Sequence, residues 1–564
     1  MVAAESPRDI GDARAGAGTP VLPTAGAAEQ VTNQAPPLTG HNTYTADLAL
    51  PDAVARYAPD AELDLHDLGW LAGDANWQAR GDEANRDVPR LRTHDRYGHR
   101  VDEVVFAPAW HELLEVSVLH GLHATPWESR RPGAHAARAA GFIVWSGVEA
   151  GHGCPVSMTY AAVPALRADP DLAATWIPRL TATSYDPQLR APGTKVGALA
   201  GMGMTEKQGG SDVRTNSTRA EPVTDGYLLT GHKWFCSAPM SDVFLVLAQA
   251  PGGLTCFVLP RVLPDGSRNP FSLMRLKDKL GNRSNASAEV ELDGSLAQRL
   301  GEEGRGVRTI VEMVSATRLD CVLGSTALQR RAVHEAVWHT RHRSAFGRLL
   351  VDQPLMASVL ADLVVEYEAS LALGMRLAAT YDRSDPQETA LRRLALPAAK
   401  FWVCKRTQSA VGEALECLGG NGYIEESGMP RLYREAPVNS VWEGSGNVTA
   451  LDLVRALTRE PDALDAYLAE VGEAAGVDAR LDAAVTDLLT SLADLSEPES
   501  RARRLAEQVA TVLAGSLLVR HGDPAVADAY CATRLGGDHG ATFGTLPHGT
   551  DTAAVLARVP LTTH

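Results

Sequence analysis

The feature that most constrains this chain is a change of period along its length, from helical to β and back. Apolar residues three and four apart mark 53–57, 61–71, 108–120 and 134–150, separated by Pro- and Gly-bearing breaks. After Gly197 the pattern turns into short β-rich runs at 227–230, 243–248, 255–262 and 288–292, broken by turn clusters such as Gly252-Gly253 and Pro264-Asp265-Gly266. From Gly304 the helical period returns in longer segments, 307–342, 354–381 and 389–418; the second opens on Pro354 and the third stops at Gly419-Gly420. The pattern predicts a multi-domain α+β protein. Its expected parts are a disordered leader over 1–34, a helical N-terminal domain over 35–196, a β-domain over 197–298, a helical bundle over 299–457 and a helical C-terminal extension over 458–564. Within the extension, 481–495 and 500–519 carry the helical period.

A chain of 564 residues suits three or four such domains, and 45% hydrophobic with 22% charged residues is the composition of a soluble globular protein. No apolar run approaches the length of a membrane span, and the N-terminus lacks the basic start and apolar core of a signal peptide, so a cytoplasmic protein without membrane contact is expected. Seven scattered cysteines, with no C-x-x-C pair, predict free buried thiols and no metal site. The net charge of −16 argues against coating nucleic acid through an overall field. The extension is itself acidic, with 8 Arg and no Lys against 16 Asp and Glu.

Five stretches carry candidate chemistry. In Val441-Trp442-Glu443-Gly444-Ser445-Gly446-Asn447 one carboxylate lies between an apolar pair and a flexible, hydroxyl-bearing turn, where desolvation disfavours its charged form. The plain alternative is a loop charge before a helix capped by Ser445 or Asn447. Gly201 to Asp212, with Thr205 and Ser211 flanked by glycines, offers hydroxyl and backbone donors to a flat cofactor or a phosphate; an ordinary glycine-rich turn accounts for it equally well. Gly231 to Ser237 places Trp234 and Phe235 before a small hydroxyl, suited to a heterocycle or to core packing. Arg341 to Arg348 ends a long helix and reads as a pyrophosphate clamp or as capping cations. Glu416 to Tyr423 holds three glycines, of which a helix cap accounts for one.

Thr205…Ser211, the Gly231–Ser237 run, Arg343-x-x-Phe346-Gly347, Leu418-Gly419-Gly420-Asn421-Gly422-Tyr423 and Trp442-Glu443-Gly444, in this order, resemble the acyl-CoA dehydrogenase superfamily. Met204 to Asp212, Lys277 to Ser287 and Pro430 to Glu435 are similar to its AidB branch of adaptive-response flavoproteins. The resemblance runs from about Gln34 and is most specific through Leu457. It implies an N-terminal helical domain, a middle β-barrel, a C-terminal helical bundle and an extra helical C-terminal domain implicated in double-stranded DNA binding, together with FAD and a homotetramer. Carried onto this sequence, it implies that Met202, Met204, Thr205, Ser211, Phe235, Cys236 and Ser237 contact the flavin. Val441, Trp442, Gly444, Ser445, Asn447 and Leu451 line it as well. Arg343, Phe346, Gln353, Gly419 and Gly420 hold its pyrophosphate or adenine end across a subunit boundary. Glu443 falls where many members carry the catalytic base. Glu416 replaces the usual Gln, and Gln353 lies one residue short of another, which blurs the adenine side.

The expected function is α,β-dehydrogenation of an acyl thioester, with Glu443 removing the α-proton. Two alternatives are a DNA-associated protective flavoprotein with little turnover and a flavoenzyme of secondary metabolism. For the first, the DNA-facing cations are Arg480, Arg501, Arg503, Arg504 and Arg520, in a segment whose net charge repels a duplex.

Overall fold

A computed structural model describes residues 32–494 and 496–562, so nearly all of the expected leader lies outside the described residues. Asn33 and Gln34 are anchored: Ser344 donates its backbone N–H to Asn33 Oδ1 (2.7 Å), and Asn421 Nδ2 donates to Gln34 (2.8 Å).

The first helical block buries two helices almost completely, α1 (Ala134–Ser146) and α2 (Gly153–Leu166), whose apolar and small residues run around the whole helix. Between its helices lies an antiparallel hairpin, Arg90–His94 with Arg100–Val105, in a domain expected from the sequence to be mainly helical and for which no strand is predicted. Charged residues interrupt both strands and leave no clean apolar alternation; Leu91 and Val104 alone pack onto the β-domain core.

The β-domain contains β1 (Ala200–Gly203), β2 (Arg219–Val223), β3 (Gly226–Ser237), β4 (Val243–Ala250), β5 (Gly253–Pro260), β6 (Ser272–Leu276) and β7 (Ser287–Leu300). Pairing runs β4–β2–β3–β7–β5 and returns to β4, so five strands close on themselves. Strand β1 lies parallel beside the start of β4, and β6 adds to β7. Closure removes the free edges that an open sheet exposes. Phe244, Phe257, Val290 and Leu292 fill one core of this domain. A register shift in the β3–β7 ladder between Lys233 and Cys236 takes Trp234 and Phe235 out of regular pairing and leaves Phe235 52% exposed.

The bundle is built from α3 (Gly306–His342), α4 (Pro354–Ala379), α5 (Pro386–Cys417) and α6 (Gly446–Arg459). Proline at the first position starts α4 and α5, where a missing N–H costs nothing, and Asp385 caps α5 by accepting from Gln387 N. The extension adds α7 (Pro498–His521). Tyr467 Oη donates to Val509 O across it (2.9 Å), while Arg534 pairs with Asp362 and Glu366 of α4. Arg558 bonds Glu368 and Asp52, and Leu561 N donates to Ala46 O, so the last described residues lie against the N-terminal domain.

Candidate active site

Glu443 sits in a turn gripped by two helices. Arg318 of α3 donates from Nε to Glu443 O (3.0 Å), and Lys400 of α5 donates to Trp442 O (2.8 Å) and to Gly444 O. Three consecutive carbonyls are thus held by cations that are only 7% and 1% exposed. Arg318 is paired in turn with Asp452 of α6. The grip matters because Glu443 is left-handed, with φ of 57°, a conformation that costs a non-glycine residue about 1–3 kcal/mol. Its carboxylate accepts from Thr317 Oγ1 (2.7 Å) and, among the described residues, forms no ion pair. Burial pushes the carboxyl above the usual glutamate range, while the Thr317 hydroxyl and the nearby Lys400 and Arg318 charges pull it back. A desolvated carboxylate with a fixed position and no counter-ion on its oxygens is equipped to take a proton. The capping alternative fails: Ser445 is the N-cap of α6 but makes no side-chain cap bond.

Several of the expected residues lie together near this turn. Met202, Met204, Trp442 and Cys154 share one apolar cluster, and Cys236 Sγ lies 3.9 Å from Met202 O. Ser237 Oγ is 3.2 Å from Ser287 Oγ, and Ser237 also reaches the Cys154 thiol. The loop after β1 is pinned by a buried pair, Lys233 Nζ on Glu206 Oε1 (2.9 Å), with Ser217 and Thr218 completing the carboxylate's shell. A Cβ on Gly210 would lie 2.4 Å from Thr205 Oγ1, so glycine there leaves room for the hydroxyl. The Thr205 and Ser211 hydroxyls make no hydrogen bond within the described residues. Phe235 and Val441 (64% exposed) present apolar surface, and Leu451 is also exposed.

A second group lies elsewhere. Arg343 follows the last residue of α3 and donates to Asn33 O (2.6 Å); Gln353 Nε2 donates to Ala345 O (2.9 Å). Phe346 tips the Ser344–Leu349 hairpin with φ of 52° and 98% exposure. Gly419 and Gly420 lie beyond α5, and a Cβ on either would meet open space, whereas one on Gly422 would strike Leu415 O at 2.2 Å. Close packing and capping therefore account for Gly422 and Gly419, and neither accounts for Gly420. At 1.5 Å per residue, Thr317 and His342 are roughly 38 Å apart along α3, further than a dinucleotide extends. One chain cannot bring both groups to one ligand.

The five arginines of the DNA alternative are mostly engaged. Arg480 pairs with Asp478 and Asp528, Arg520 with Glu470 and Glu473, and Arg501 bonds Ser491 O beside Asp494. Arg503 donates to Asn447 (2.8 Å), and Arg504 is exposed without a partner among the described residues. Among those residues no three His, Cys, Asp or Glu side chains group to hold a metal, and no helix is long and apolar enough to cross a membrane.

Residues 33–187 match the AidB adaptive response protein N-terminal domain family, 201–295 the acyl-CoA dehydrogenase middle domain and 304–458 the acyl-CoA dehydrogenase C-terminal domain. AidB of Escherichia coli (strain K12) is 46% identical over 510 residues, covering 90% of this chain and 94% of that protein. The chain belongs to the AidB branch of the acyl-CoA dehydrogenase family. ACDH-11 of Caenorhabditis elegans, solved in complex with C11-CoA, superposes with a TM-score of 0.80 at 26% identity, over 96% of this chain and 95% of that one. An acyl-CoA dehydrogenase of Bacillus anthracis solved with FAD shares the fold at 17% identity and a TM-score of 0.63, over 88% of each chain.

The residues around Glu443 fit such a flavin. Exposed apolar side chains at Phe235 and Val441, with Thr205 and Ser211 hydroxyls unclaimed among the described residues, match a ring system with flat faces and polar edges. Thr317, Arg318 and Lys400, which build the Glu443 turn, escaped the sequence reading. The signal for Lys400 is present: it occupies the buried stripe Leu396, Val403, Thr407 of α5, where a lone charge needs partners.

Proposed function

We propose that this chain is a FAD-dependent dehydrogenase of acyl thioesters, acting in the cytoplasm as a homotetramer, with Glu443 as general base. The observation that carries this reading is the Glu443 turn: a half-buried carboxylate whose backbone is fixed by Arg318 and Lys400 and whose oxygens are paired with neither. The flavin, when bound, supplies a hydride acceptor. Glu443 takes the proton from the carbon beside the thioester carbonyl, and the Thr317 hydroxyl orients the carboxylate that does so. Met202, Met204, Thr205, Ser211, Phe235, Cys236 and Ser237 form one wall of the cofactor site. Val441, Trp442, Gly444, Ser445, Asn447 and Leu451 form the other. Arg343, Phe346, Gln353, Gly419 and Gly420 serve the site of a neighbouring copy, which their separation from Glu443 along α3 supports. The substrate class follows the relative solved with C11-CoA. The ion pairs that occupy Arg480 and Arg520 favour this reading over duplex binding.

Glu443→Gln tests it. The variant should retain FAD and lose anaerobic flavin reduction by acyl-CoA by about 10²- to 10⁴-fold, the usual share of a general base. Reduction at the wild-type rate would overturn the assignment.

A further inference from the structure

Two cations from different domains meet at the turn that follows Glu443. Lys405 of α5 lies against Gly446: a Cβ there would be 2.6 Å from Lys405 Cε and 3.1 Å from Nζ. Arg503 of α7, in the extension, donates from Nε to Asn447 Oδ1 (2.8 Å) and leaves both terminal nitrogens without a partner among the described residues. Neither Lys405 nor Arg503 forms an ion pair among those residues. Burial, Arg503 and Lys400 together hold the Lys405 ammonium below its ordinary range, which is what crowding of like charges without a counter-ion does. The Ser445 hydroxyl is exposed and uncapped in the same turn.

We infer that Lys405 and Arg503, with the Ser445 hydroxyl, bind the phosphate end of a dinucleotide, so that the extension contributes Arg503 to holding the cofactor. The inference rests on the reading of the Glu443 turn as one wall of the flavin site and adds to it an anchor from a domain outside the dehydrogenase core. The guanidinium fork left open by the Asn447 bond suits a phosphate oxygen pair, and Lys405 supplies a point charge at the floor. A DNA phosphate offers the same oxygens, but a duplex needs a broad cationic face. The extension, with 16 acidic residues against 8 Arg, lacks one.

The test uses the full-length chain freed of flavin and titrated with FAD or with riboflavin, which has the ring but no phosphate, following flavin fluorescence. Arg503→Ala and Lys405→Ala should each raise the Kd for FAD about tenfold, as loss of a charge-assisted bond does, and leave riboflavin unchanged. Arg503→Lys should recover part of the loss. Circular dichroism and the urea midpoint check that each variant is folded. Unchanged FAD affinity in both variants overturns the inference. So does an equal loss for riboflavin, which would mean damage to the turn itself, or a loss confined to binding of a short duplex at low salt. Wild-type protein that takes up neither flavin overturns the reading of the whole site.

Discussion

Lys400→Met isolates what holds the Glu443 turn. The ammonium is almost fully buried and serves two main-chain carbonyls, Trp442 O and Gly444 O, on either side of the left-handed residue. Each carbonyl left buried and unpaired costs about 1–3 kcal/mol, and release of the buried charge returns part of that, for a net loss of about 2–4 kcal/mol. That loss is comparable to the strain stored at Glu443, so the turn should relax toward an ordinary conformation. Removing a positive charge near the carboxyl also raises its pKa further. A carboxyl raised by folding contributes stability that is fully present below its unfolded pKa and lost as pH rises through the folded value. Lys400→Met should push that loss to higher pH. Urea denaturation measures the first effect; anaerobic flavin reduction across pH measures the second, with a lower maximum and a midpoint moved upward. A variant with the wild-type urea midpoint and the wild-type pH midpoint would refute the reasoning.

Thr317→Val removes the one hydroxyl that, among the described residues, bonds the carboxylate, and the pH midpoint of flavin reduction should rise, because that bond favours the charged form. Lys233→Met leaves Glu206 buried without its cation and should cost about 3–5 kcal/mol in urea denaturation, with the double variant Glu206→Gln/Lys233→Met closer to wild type. Phe346→Ser alters a side chain that touches almost nothing within its own chain, so the urea midpoint of the isolated subunit should hold while sedimentation shows weakened assembly.

The architecture was legible because its signals are local. The three long bundle helices are found within three residues of the predicted ends, since proline starts and glycine stops act on the backbone directly. The uninterrupted apolar run 243–248 is a strand buried on both faces, as such runs require. The hairpin at Arg90–Val105 was missed because its apolar signal is short: Leu91 and Val104 pair on the inner face, while Arg90, Arg92 and Glu103 share the opposite one. At the site, Glu443 was legible from its neighbours in sequence, whereas Arg318 and Lys400 were not: they lie 125 and 43 residues away and act on carbonyls, which carry no sequence signature. The role of Arg503 was obscured for the opposite reason, a conspicuous run of arginines whose individual partners only the packing of α7 against α6 reveals.

The left-handed backbone at Glu443 sets the demands of folding against those of chemistry at a single codon. Glycine or asparagine would occupy that conformation with less strain. In a library randomised at this codon, survival of the folded chain alone should enrich those two residues, and survival through the reaction should restore glutamate. A lineage released from the reaction would drift the same way, because at this position neutrality points away from the residue now present.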